Sequence, residues 1–347
     1  MSNEVVFIFR KKGYGFSIER VFSDIMEALS AEISRREFYC TFRSAANPLA
    51  VGWNLWTAAL AQGSVNHITG DVQYLALVGS GRRTILTIHD CDHLSMLTGL
   101  KREIFFWLWW RWPVARARFV TVISEFTRRD LVRVLGRDPG NLVVIPDPVS
   151  PAFTPAPKSF PERTPRILHL GTKPNKNLSR IAAALNGIPC HLRIVGRLDE
   201  TQKRALRENR VNYSAVERID DDAMVQEYRE ADMVLFASTF EGFGLPIVEA
   251  QATGRPVITS SVASMPEVAG TGACLVDPFD RQSIRGGIMQ VIQNADYRSS
   301  LIERGFDNVR RFERHCVARQ YLNLYQTIWL ENRSKERKNT KEARSGA

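Results

Sequence analysis

The chain has 347 residues, 44% of them hydrophobic, so it can form roughly two packed domains and is neither disordered nor fibrous in composition. Its formal net charge is +10, and residues 333–347, with six Lys or Arg and two Glu, contribute +4 of that charge. The remaining positive charge is compatible with a phosphate-bearing partner such as a nucleotide, a lipid-linked phosphate, a membrane surface or a nucleic acid. The five cysteines form no C-x-x-C pair, which argues against a disulfide framework and a thiolate zinc site.

The sequence gives no sign of secretion or of a membrane span. Residues 5–9 are apolar, but this run is shorter than a signal peptide requires and leads directly into three basic residues. No apolar run approaches the ~20 residues that cross a bilayer. We therefore expect a reducing, cytoplasmic compartment.

In the first half of the chain, short apolar strands alternate with helical stretches. Strands are predicted at residues 4–10, 37–42, 65–69, 84–89 and 119–123, and a helix at 18–31. This alternation predicts an α/β domain with a doubly wound parallel sheet. The loop after the first strand contains Gly13 and Gly15, which are too few for a dinucleotide-binding fingerprint.

His89 opens the sequence His-Asp-Cys-Asp-His, which follows a predicted strand. Histidine and aspartate side chains at the end of a strand can converge on zinc, so a metal site is one interpretation. No second cluster of His or Cys completes such a site. A buried structural histidine and a histidine that bonds a ligand are the alternatives.

Residues 101–119 combine bulky aromatic side chains with basic ones. The aromatic residues include Trp107, Trp109, Trp110 and Trp112, and the basic ones include Arg111, Arg116 and Arg118. Tryptophan beside arginine is typical of a helix that lies on anionic lipid, with the arginines on the headgroups. The alternative is that the helix packs against its own sheet with the aromatic rings in the core. Both interpretations can hold on opposite faces of the helix.

The second half predicts another α/β domain after a proline-rich linker. We expect a first domain at 1–148, the linker at 149–165, a second domain at 166–315, a cross-over helix at 316–332 and a disordered basic tail at 333–347. Strands are predicted at 166–171, 191–196, 216–219, 233–237 and 256–259, with helices at 221–231, 281–294, 297–309 and 316–329.

The most informative stretch is residues 231–261, which predict a strand, a glycine turn, a helix and a strand. Pro246 opens the helix and Gly254 closes it. Gly242 and Gly244 allow a ligand to approach the backbone, and the helix start offers N–H groups to an anion. Glu241 and Glu249 lie on either side, with Glu249 expected in the first helical turn, and their carboxylates can accept hydrogen bonds from sugar hydroxyls. Capping of the helix would explain Glu249 alone, but not the other residues of the turn.

The E-x(7)-E pattern within EGFGLPIVEA, followed by G-R-P-V-I, resembles the signature of glycosyltransferase family 4. The pieces H-I-T-G-D at 67–71, T-I-H-D at 87–90 and T-V-I-S-E at 121–125 are similar to that family as well. The resemblance implies a GT-B fold, with two Rossmann-like domains facing across a cleft and a C-terminal helix crossing back to the first. It also implies transfer of a hexose-type sugar from a nucleotide-diphosphate sugar with retention of anomeric configuration.

The same resemblance implies roles for individual residues. Glu241 would hold the sugar hydroxyls, Glu249 the ribose and Lys176 the diphosphate, while His89 would contact the sugar from the first domain. Lys173 stands near the position of a family arginine that this chain does not match. The remaining donor-site candidates are Gly13, Gly15, Gly242, Phe243, Gly244 and Leu245. Catalytic roles fall to Glu241, His89 and Lys176.

The resemblance implies no metal ion or other cofactor. The expected partners are the nucleotide-sugar donor, a glycan or lipid-linked acceptor of bacterial polysaccharide biosynthesis and the anionic inner face of the membrane, but not nucleic acid. Three alternatives stay open: a nucleotide-sugar epimerase of the same fold, a phosphorylase, and a non-catalytic protein that binds nucleotide sugars or membrane surfaces.

Overall fold

The computed structural model describes residues 3–13, 17–43, 47–91, 97–161 and 163–345, with side chains up to residue 335. The chain forms two compact units. The first comprises Met1–Pro148 and Arg314–Ala347, and the second comprises Val149–Glu313. Of the predicted positions, Gly15, Asp92 and His93 lie outside the described residues.

In the part of the chain that the structure describes, each unit contains six strands with helices between them. The strands of the first unit are β1 (Glu4–Phe9), β2 (Ser34–Tyr39), β3 (Val65–Ile68), β4 (Thr84–Ile88), β5 (Phe119–Val122) and β6 (Leu142–Val144). Its helices are α1 (Ser17–Ala28), α2 (Pro48–Leu60), α3 (Gly99–Phe105), a π-helical segment (Phe106–Arg111), α4 (Trp112–Arg116), α5 (Glu125–Leu135) and α13 (Arg314–Ser345).

The second unit has the same alternation. Its strands are β7 (Arg166–Leu170), β8 (His191–Val195), β9 (Tyr213–Val216), β10 (Met233–Phe236), β11 (Val257–Ser260) and β12 (Cys274–Val276). Its helices are α6 (Leu178–Leu185), α7 (Glu200–Glu208), α8 (Asp221–Glu230), α9 (Leu245–Thr253), α10 (Met265–Ala269), α11 (Arg281–Gln293) and α12 (Ala295–Val309).

Both sheets are parallel and doubly wound. The first has the strand order β2-β1-β3-β4-β5-β6, and the second has β12-β11-β10-β7-β8-β9. The strand order reverses between β1 and β3 in the first sheet and between β7 and β10 in the second. At such a reversal the loops that follow the two central strands diverge to opposite faces, which opens a crevice at the carboxyl edge of the sheet. The fold therefore predicts one crevice in each unit.

The central strands form because their residues are apolar and fit a sheet covered on both faces. All four residues of β10 and all five of β4 are buried. Parallel strands buried on both faces appear in sequence as continuous apolar runs, which is why these strands were predictable. The helices between them begin at polar caps: Ser124 accepts from the backbone N–H of Thr127 at the start of α5, and Asp199 forms a capping box with Gln202 in α7.

Two edge strands differ from prediction by a few residues. Strand β2 is Ser34–Tyr39 instead of 37–42, and β9 is Tyr213–Val216 instead of 216–219. Each pairs on one side only, β2 with β1 and β9 with β8. Both strands are mostly exposed or half-buried, so no continuous apolar run marks their ends, and these predictions were wrong in position.

The segment predicted as a linker packs on the second unit over part of its length. Phe153 is 5% exposed and its ring contacts Tyr228 at 5.1 Å between centroids. The backbone N–H of Ala156 donates to the carbonyl of Thr253. The prolines therefore do not mark a free tether, since one aromatic anchor and a backbone bond hold this stretch against the helices of the second unit.

Helix α13 belongs to the first unit and is longer than predicted. The sequence predicts a helix at 316–332 and a disordered tail, but the structure continues the helix to Ser345. Residues 333–345 contain neither Gly nor Pro and are rich in Lys, Arg and Glu, which favour helix. Charge-rich composition alone was therefore a poor reason to predict disorder here.

A buried polar network connects α13 to the first sheet. The ring of His67, on β3, lies 2.7 Å from the hydroxyl of Tyr325 through Nδ1 and 2.8 Å from Thr87 Oγ1 through Nε2. Thr87 in turn bonds Thr121 at 2.6 Å. His67 is fully buried, and burial together with the nearby His89 lowers its pKa to about 3.

Residues 101–119 divide their tryptophans between core and solvent. Trp109 and Trp110 are 8% and 2% exposed and belong to the core of the first unit, whereas Trp107 and Trp112 are 41% and 50% exposed. The π-helical turn inserts an extra residue between these positions and so allows adjacent rings to face inward. Packing of this helix against its own sheet is thus confirmed for one face. Among the described helices, none is long and apolar enough to span a bilayer.

We expect mild acid to destabilise the protein through its buried histidines. His67 has a lowered pKa in the folded state but an ordinary pKa in the unfolded chain. Below about pH 6.5, His67 is therefore protonated in the unfolded chain but stays neutral in the native one, which favours unfolding. The free energy of unfolding should fall by about 2 kcal/mol per such histidine between about pH 7 and about pH 5.

This pH dependence can be measured by urea unfolding of the chain and of two variants. His67→Gln should lose part of the pH dependence, even if it is less stable at neutral pH. His315→Gln, at an exposed position of α13, should retain all of it. Equal pH dependence in the wild type and His67→Gln would show that His67 is not the group responsible.

Candidate functional site

The strand reversal of the second sheet brings two loops together. One loop follows β7 and contains residues 171–177, and the other follows β10 and contains residues 237–244. Because both loops leave the carboxyl ends of adjacent parallel strands, their side chains share the crevice predicted by the topology.

An ion pair between Lys176 and Glu241 joins these loops. The Nζ atom of Lys176 lies 2.6 Å from Oε1 of Glu241, and the two side chains are 17% and 15% exposed. The amide of Asn175 donates to the same carboxylate oxygen at 3.2 Å and to the carbonyl of Phe240 at 2.9 Å. Asn175, which sequence reasoning missed, therefore orients the carboxylate from the neighbouring loop. Its position beside Lys176, in the loop that follows β7, is the signal that could have identified it.

The loop that carries Lys176 is shaped by two residues with left-handed backbone. Asn177 has a φ of 64°, and its amide donates to the carbonyls of Ala237 and Pro278. Gly171 has a φ of +86°, and a Cβ there would come within 2.9 Å of Lys176 Cε. The lysine stem therefore passes over the backbone at a point where only glycine leaves room. Lys173 is exposed at the start of the same loop.

The glycine turn prepares the start of α9. Gly244 has a φ of +107° and precedes the helix, which begins at Leu245. Phe243 is buried against Phe312, and the hydroxyl of Ser264 lies 2.8 Å from the carbonyl oxygens of both Glu241 and Phe243. The turn is thus held rigidly from behind, while the first backbone N–H groups of α9 have no partner within the helix, as at any helix start.

Glu249 is placed differently from the prediction. It is the fifth residue of α9, beyond the first turn, and is 3% exposed. Its Oε2 atom accepts a hydrogen bond of 2.6 Å from the hydroxyl of Tyr228 on α8. The structure therefore brings Glu241 and Lys176 together but places Glu249 in a separate buried contact. Tyr228 was not predicted, because nothing in the sequence connects it with Glu249.

In the first unit, His89 follows β4 and is 13% exposed. Its Nε2 atom lies 2.8 Å from the carbonyl of Thr69, so this nitrogen carries a proton, and Nδ1 lies 3.9 Å from Asp147. Burial raises the pKa of Asp147, and the nearby His89 opposes that shift. Gly70 has a φ of +135°, and a Cβ there would come within 2.6 Å of the His89 ring, so the glycine makes room for the histidine.

The loop after β1 carries Gly13, which is exposed and has a φ of +79°. Directly after the strand, Arg10 donates to Glu19 at 3.0 and 3.1 Å and to Asp71. The sequence analysis did not identify this cluster. The signal for it was that Arg10 directly follows β1 and Asp71 closely follows β3, the two strands between which the strand order reverses. Among the residues that the structure describes, no three His, Cys, Asp or Glu side chains are grouped as a metal site would require.

Both halves of the chain match known sequence families. The family described as "Glycosyl transferases group 1" matches residues 153–307, and "Glycosyltransferase Family 4" matches residues 33–153. The chain belongs to glycosyltransferase family 4. The resemblance drawn from the E-x(7)-E pattern is thereby confirmed.

Individual proteins show the relationship of this family 4 chain in sequence and in fold. The O-antigen chain mannosyltransferase B of Escherichia coli is 27% identical over 237 residues, which cover 61% of this chain and 61% of that protein. The chain thus covers about three fifths of the length of that relative. Sucrose-phosphate synthase from Thermosynechococcus elongatus superposes with a TM-score of 0.76 at 18% identity, covering 94% of this chain and 100% of the other. The Anabaena protein HepE, in complex with UDP and glucose, has a TM-score of 0.70 at 16% identity, covering 93% and 99%. The GT-B fold is therefore confirmed.

Gly171→Ala should destabilise the second unit of this family 4 protein by forcing Lys176 aside. The matched control is Gly187→Ala, because Gly187 also has a left-handed φ of +73° but nothing lies within 4 Å of the added Cβ. The control measures backbone strain of about 1–2 kcal/mol. Gly171→Ala should cost about 1–3 kcal/mol more through the clash. Denaturant unfolding of both variants tests this, and equal losses would show that the lysine stem yields freely.

Proposed function

We propose that this protein transfers a hexose-type sugar from a nucleotide-diphosphate sugar to a hydroxyl of a glycan or lipid-linked acceptor, with retention of anomeric configuration. The observation that carries the proposal is the Lys176–Glu241 pair at the strand reversal of a Rossmann-like sheet. A cation and a carboxylate 2.6 Å apart in a crevice offer one partner to phosphate oxygens and one to sugar hydroxyls. Membership of family 4 and the UDP and glucose of the HepE complex support this assignment.

Donor binding would separate the two charges. The diphosphate takes Lys176, with the backbone N–H groups of Gly244, Leu245 and the start of α9 completing an anion site. The sugar hydroxyls donate to Glu241, whose orientation Asn175 maintains. Lys173 adds a second cation at the mouth of the loop, and Gly242 and Phe243 line the turn. Glu249 is again proposed to bind the ribose. Its carboxylate would then accept a hydrogen bond from the ribose while it still accepts the one from the Tyr228 hydroxyl.

In the transition state, negative charge grows on the leaving phosphate oxygen. Donors that are already oriented toward that oxygen stabilise the charge without reorganisation. Lys176 and the N–H groups at the helix start supply this stabilisation, so the proposed reaction uses no resident metal ion or cofactor. We also propose roles at the sugar and the acceptor for His89, Gly13 and Gly15.

The acceptor is proposed from the chemistry of a relative. The O-antigen chain mannosyltransferase B is named for a bacterial surface polysaccharide. A lipid-linked glycan at the cytoplasmic face of the inner membrane is therefore the acceptor class and the location that we propose. Nucleic acid has no part in the proposed reaction.

Lys176→Met and Glu241→Gln should each lower turnover by about 100-fold to 1000-fold, because each removes a group that stabilises the reacting donor. The matched controls are Lys203→Met and Glu200→Gln. These residues form another lysine–glutamate pair of the second unit, with 2.8 Å between its atoms and 40% and 80% exposure. Release of nucleoside diphosphate from a panel of nucleotide sugars, with a glycan acceptor, is the measurement. Circular dichroism should show all four variants folded, and near-normal turnover of either site variant contradicts the proposal.

The product should keep the anomeric configuration of the donor. NMR of the product formed early in the reaction gives the one-bond C1–H1 coupling constant of the new anomeric centre, which distinguishes the two anomers even of mannose. An inverted product overturns the retaining mechanism while leaving glycosyl transfer intact. Conversion of the nucleotide sugar to an isomer without any acceptor would instead identify an epimerase.

A further inference from the structure

Helix α2 exposes a row of large apolar side chains. Leu49, Trp53, Trp56 and Leu60 are 86%, 48%, 57% and 70% exposed. Their spacing of four, three and four residues places them on one face of the helix, opposite the buried face that contains Ala50, Asn54 and Ala58. The helix contains no charged residue.

The segment from α3 to α4 exposes a second row with nearly the same spacing. Leu100, Ile104, Trp107 and Trp112 are 76%, 51%, 41% and 50% exposed. The first three follow a spacing of four and three residues. The fourth comes five residues later, because the π-helical turn at Phe106–Arg111 takes more residues per turn than an α-helix. The extra residue keeps Trp112 in line with Trp107, and their ring centroids are 5.7 Å apart.

The two rows lie on the same side of the first sheet. Both α2 and the α3–α4 segment connect strands in the direction from β2 toward β6, and right-handed crossovers in one direction cover one face. Tyr74 lies between them. Its hydroxyl accepts from the amide of Asn54 on α2 at 3.0 Å, and its ring contacts Trp109 of the π-helical segment at 4.7 Å between centroids. Tyr74 thus connects the buried faces of the two segments, whose exposed rows lie on the opposite faces.

Positive charge accompanies the second of the two rows. Lys101, Arg102 and Arg116 are exposed along the second row and Arg111 is half-buried, with Glu103 the one acidic residue of 99–118. Three of the arginines have partners: Arg102 is paired with Glu103 at 3.1 Å, Arg116 donates to the carbonyl of Gly79 at 2.7 Å, and Arg118 donates to Glu331 at 2.9 and 2.5 Å. The sequence-based expectation that Arg118 contacts headgroups stays a prediction, and such a contact would compete with the carboxylate of Glu331.

We propose that this two-helix surface, with Trp53 and Trp56 of α2 beside Trp107 and Trp112, binds the surface of an anionic lipid bilayer. Eight large apolar side chains are exposed in two rows on one side of the sheet, whereas ordinary surfaces expose such residues singly. Tryptophan is suited to the bilayer interface, and lysine and arginine are attracted to anionic headgroups. A second copy of the chain is a poorer partner, because a twofold interface would place the same cations opposite one another.

The location of the surface suits a lipid-linked acceptor, and only this part of the inference rests on the proposed function. Helices α2 and α3 both begin on the carboxyl side of the first sheet, where the loops with Gly13 and His89 also lie. A bilayer in contact with the surface would therefore lie beside the crevice of the first unit. Lipid binding itself does not depend on what the crevice binds.

Flotation with vesicles tests the proposal directly. The chain should float with phosphatidylcholine vesicles that contain phosphatidylglycerol and much less with phosphatidylcholine alone. The α2 double variant Trp53→Gln, Trp56→Gln should bind about tenfold more weakly or worse, as should Trp107→Gln, Trp112→Gln, because each pair removes two rings from the interface. Leu330→Gln, which changes a 63% exposed leucine on α13, should bind like the wild type.

Several outcomes would overturn the proposal. One is unchanged flotation of the α2 double variant, and another is equal binding to both kinds of vesicle. A third outcome combines two measurements. If the wild type is a dimer in sedimentation velocity, and the α2 double variant is a monomer that still floats with vesicles, the partner of this surface is a second copy of the chain. If the glutamine variants unfold, Trp53→Phe, Trp56→Phe keeps the rings and should retain most binding. Sugar transfer to a water-soluble glycan without vesicles is measured in parallel, so failure of lipid binding is distinguished from failure of the transferase assignment.

Discussion

The contact between Lys176 and Glu241 depends on a topological constraint, the reversal of strand order between β7 and β10. Two parallel strands that are neighbours in space but far apart in sequence send their following loops to opposite faces of the sheet. The crevice between those loops is the place where side chains 65 residues apart in the chain can meet. Three neighbouring residues support the pair. Gly171 leaves space for the side chain of Lys176, Asn177 has a left-handed backbone and bonds the loop after β10, and Asn175 donates a hydrogen bond to the carboxylate of Glu241.

The pair is mostly withdrawn from water, and this has a chemical consequence. Two charges in a partly buried site are each costly to leave alone, so removing either group leaves the other uncompensated. A ligand that supplies an anion to Lys176 and hydroxyl donors to Glu241 replaces both halves of the interaction at once. A ligand with only an anion or only hydroxyl donors replaces one half and leaves the other charged group without a partner. Under the proposed function, the donor has both features because phosphate and sugar are joined in one molecule.

The first unit shows how the same residue types take opposite roles under different packing. Of four tryptophans within six positions, two fill the core and two face outward, and the π-helical turn separates them. Composition indicated an unusual helix, but the extra residue in the turn decides which rings contact Tyr74 and which stay exposed. The neighbouring Arg118 is paired with Glu331, more than 200 positions away in the chain. The row on α2 was not predicted, because it lacks the basic residues that drew attention to the segment 101–119.

The sequence by itself determined the family, the α/β class and most of the central strands. These depend on short-range signals: apolar runs, the proline and glycine that bound α9, and the E-x(7)-E spacing. It also identified Lys176 and Glu241 as candidates. Only the tertiary structure decided that these two meet while Glu249 turns to Tyr228, that β2 and β9 take the register of their neighbours, and that charged residues 333–345 continue a helix. The physical reason is that hydrogen-bond partners, burial and strand register arise between segments far apart in the chain, and no local pattern of residues contains them.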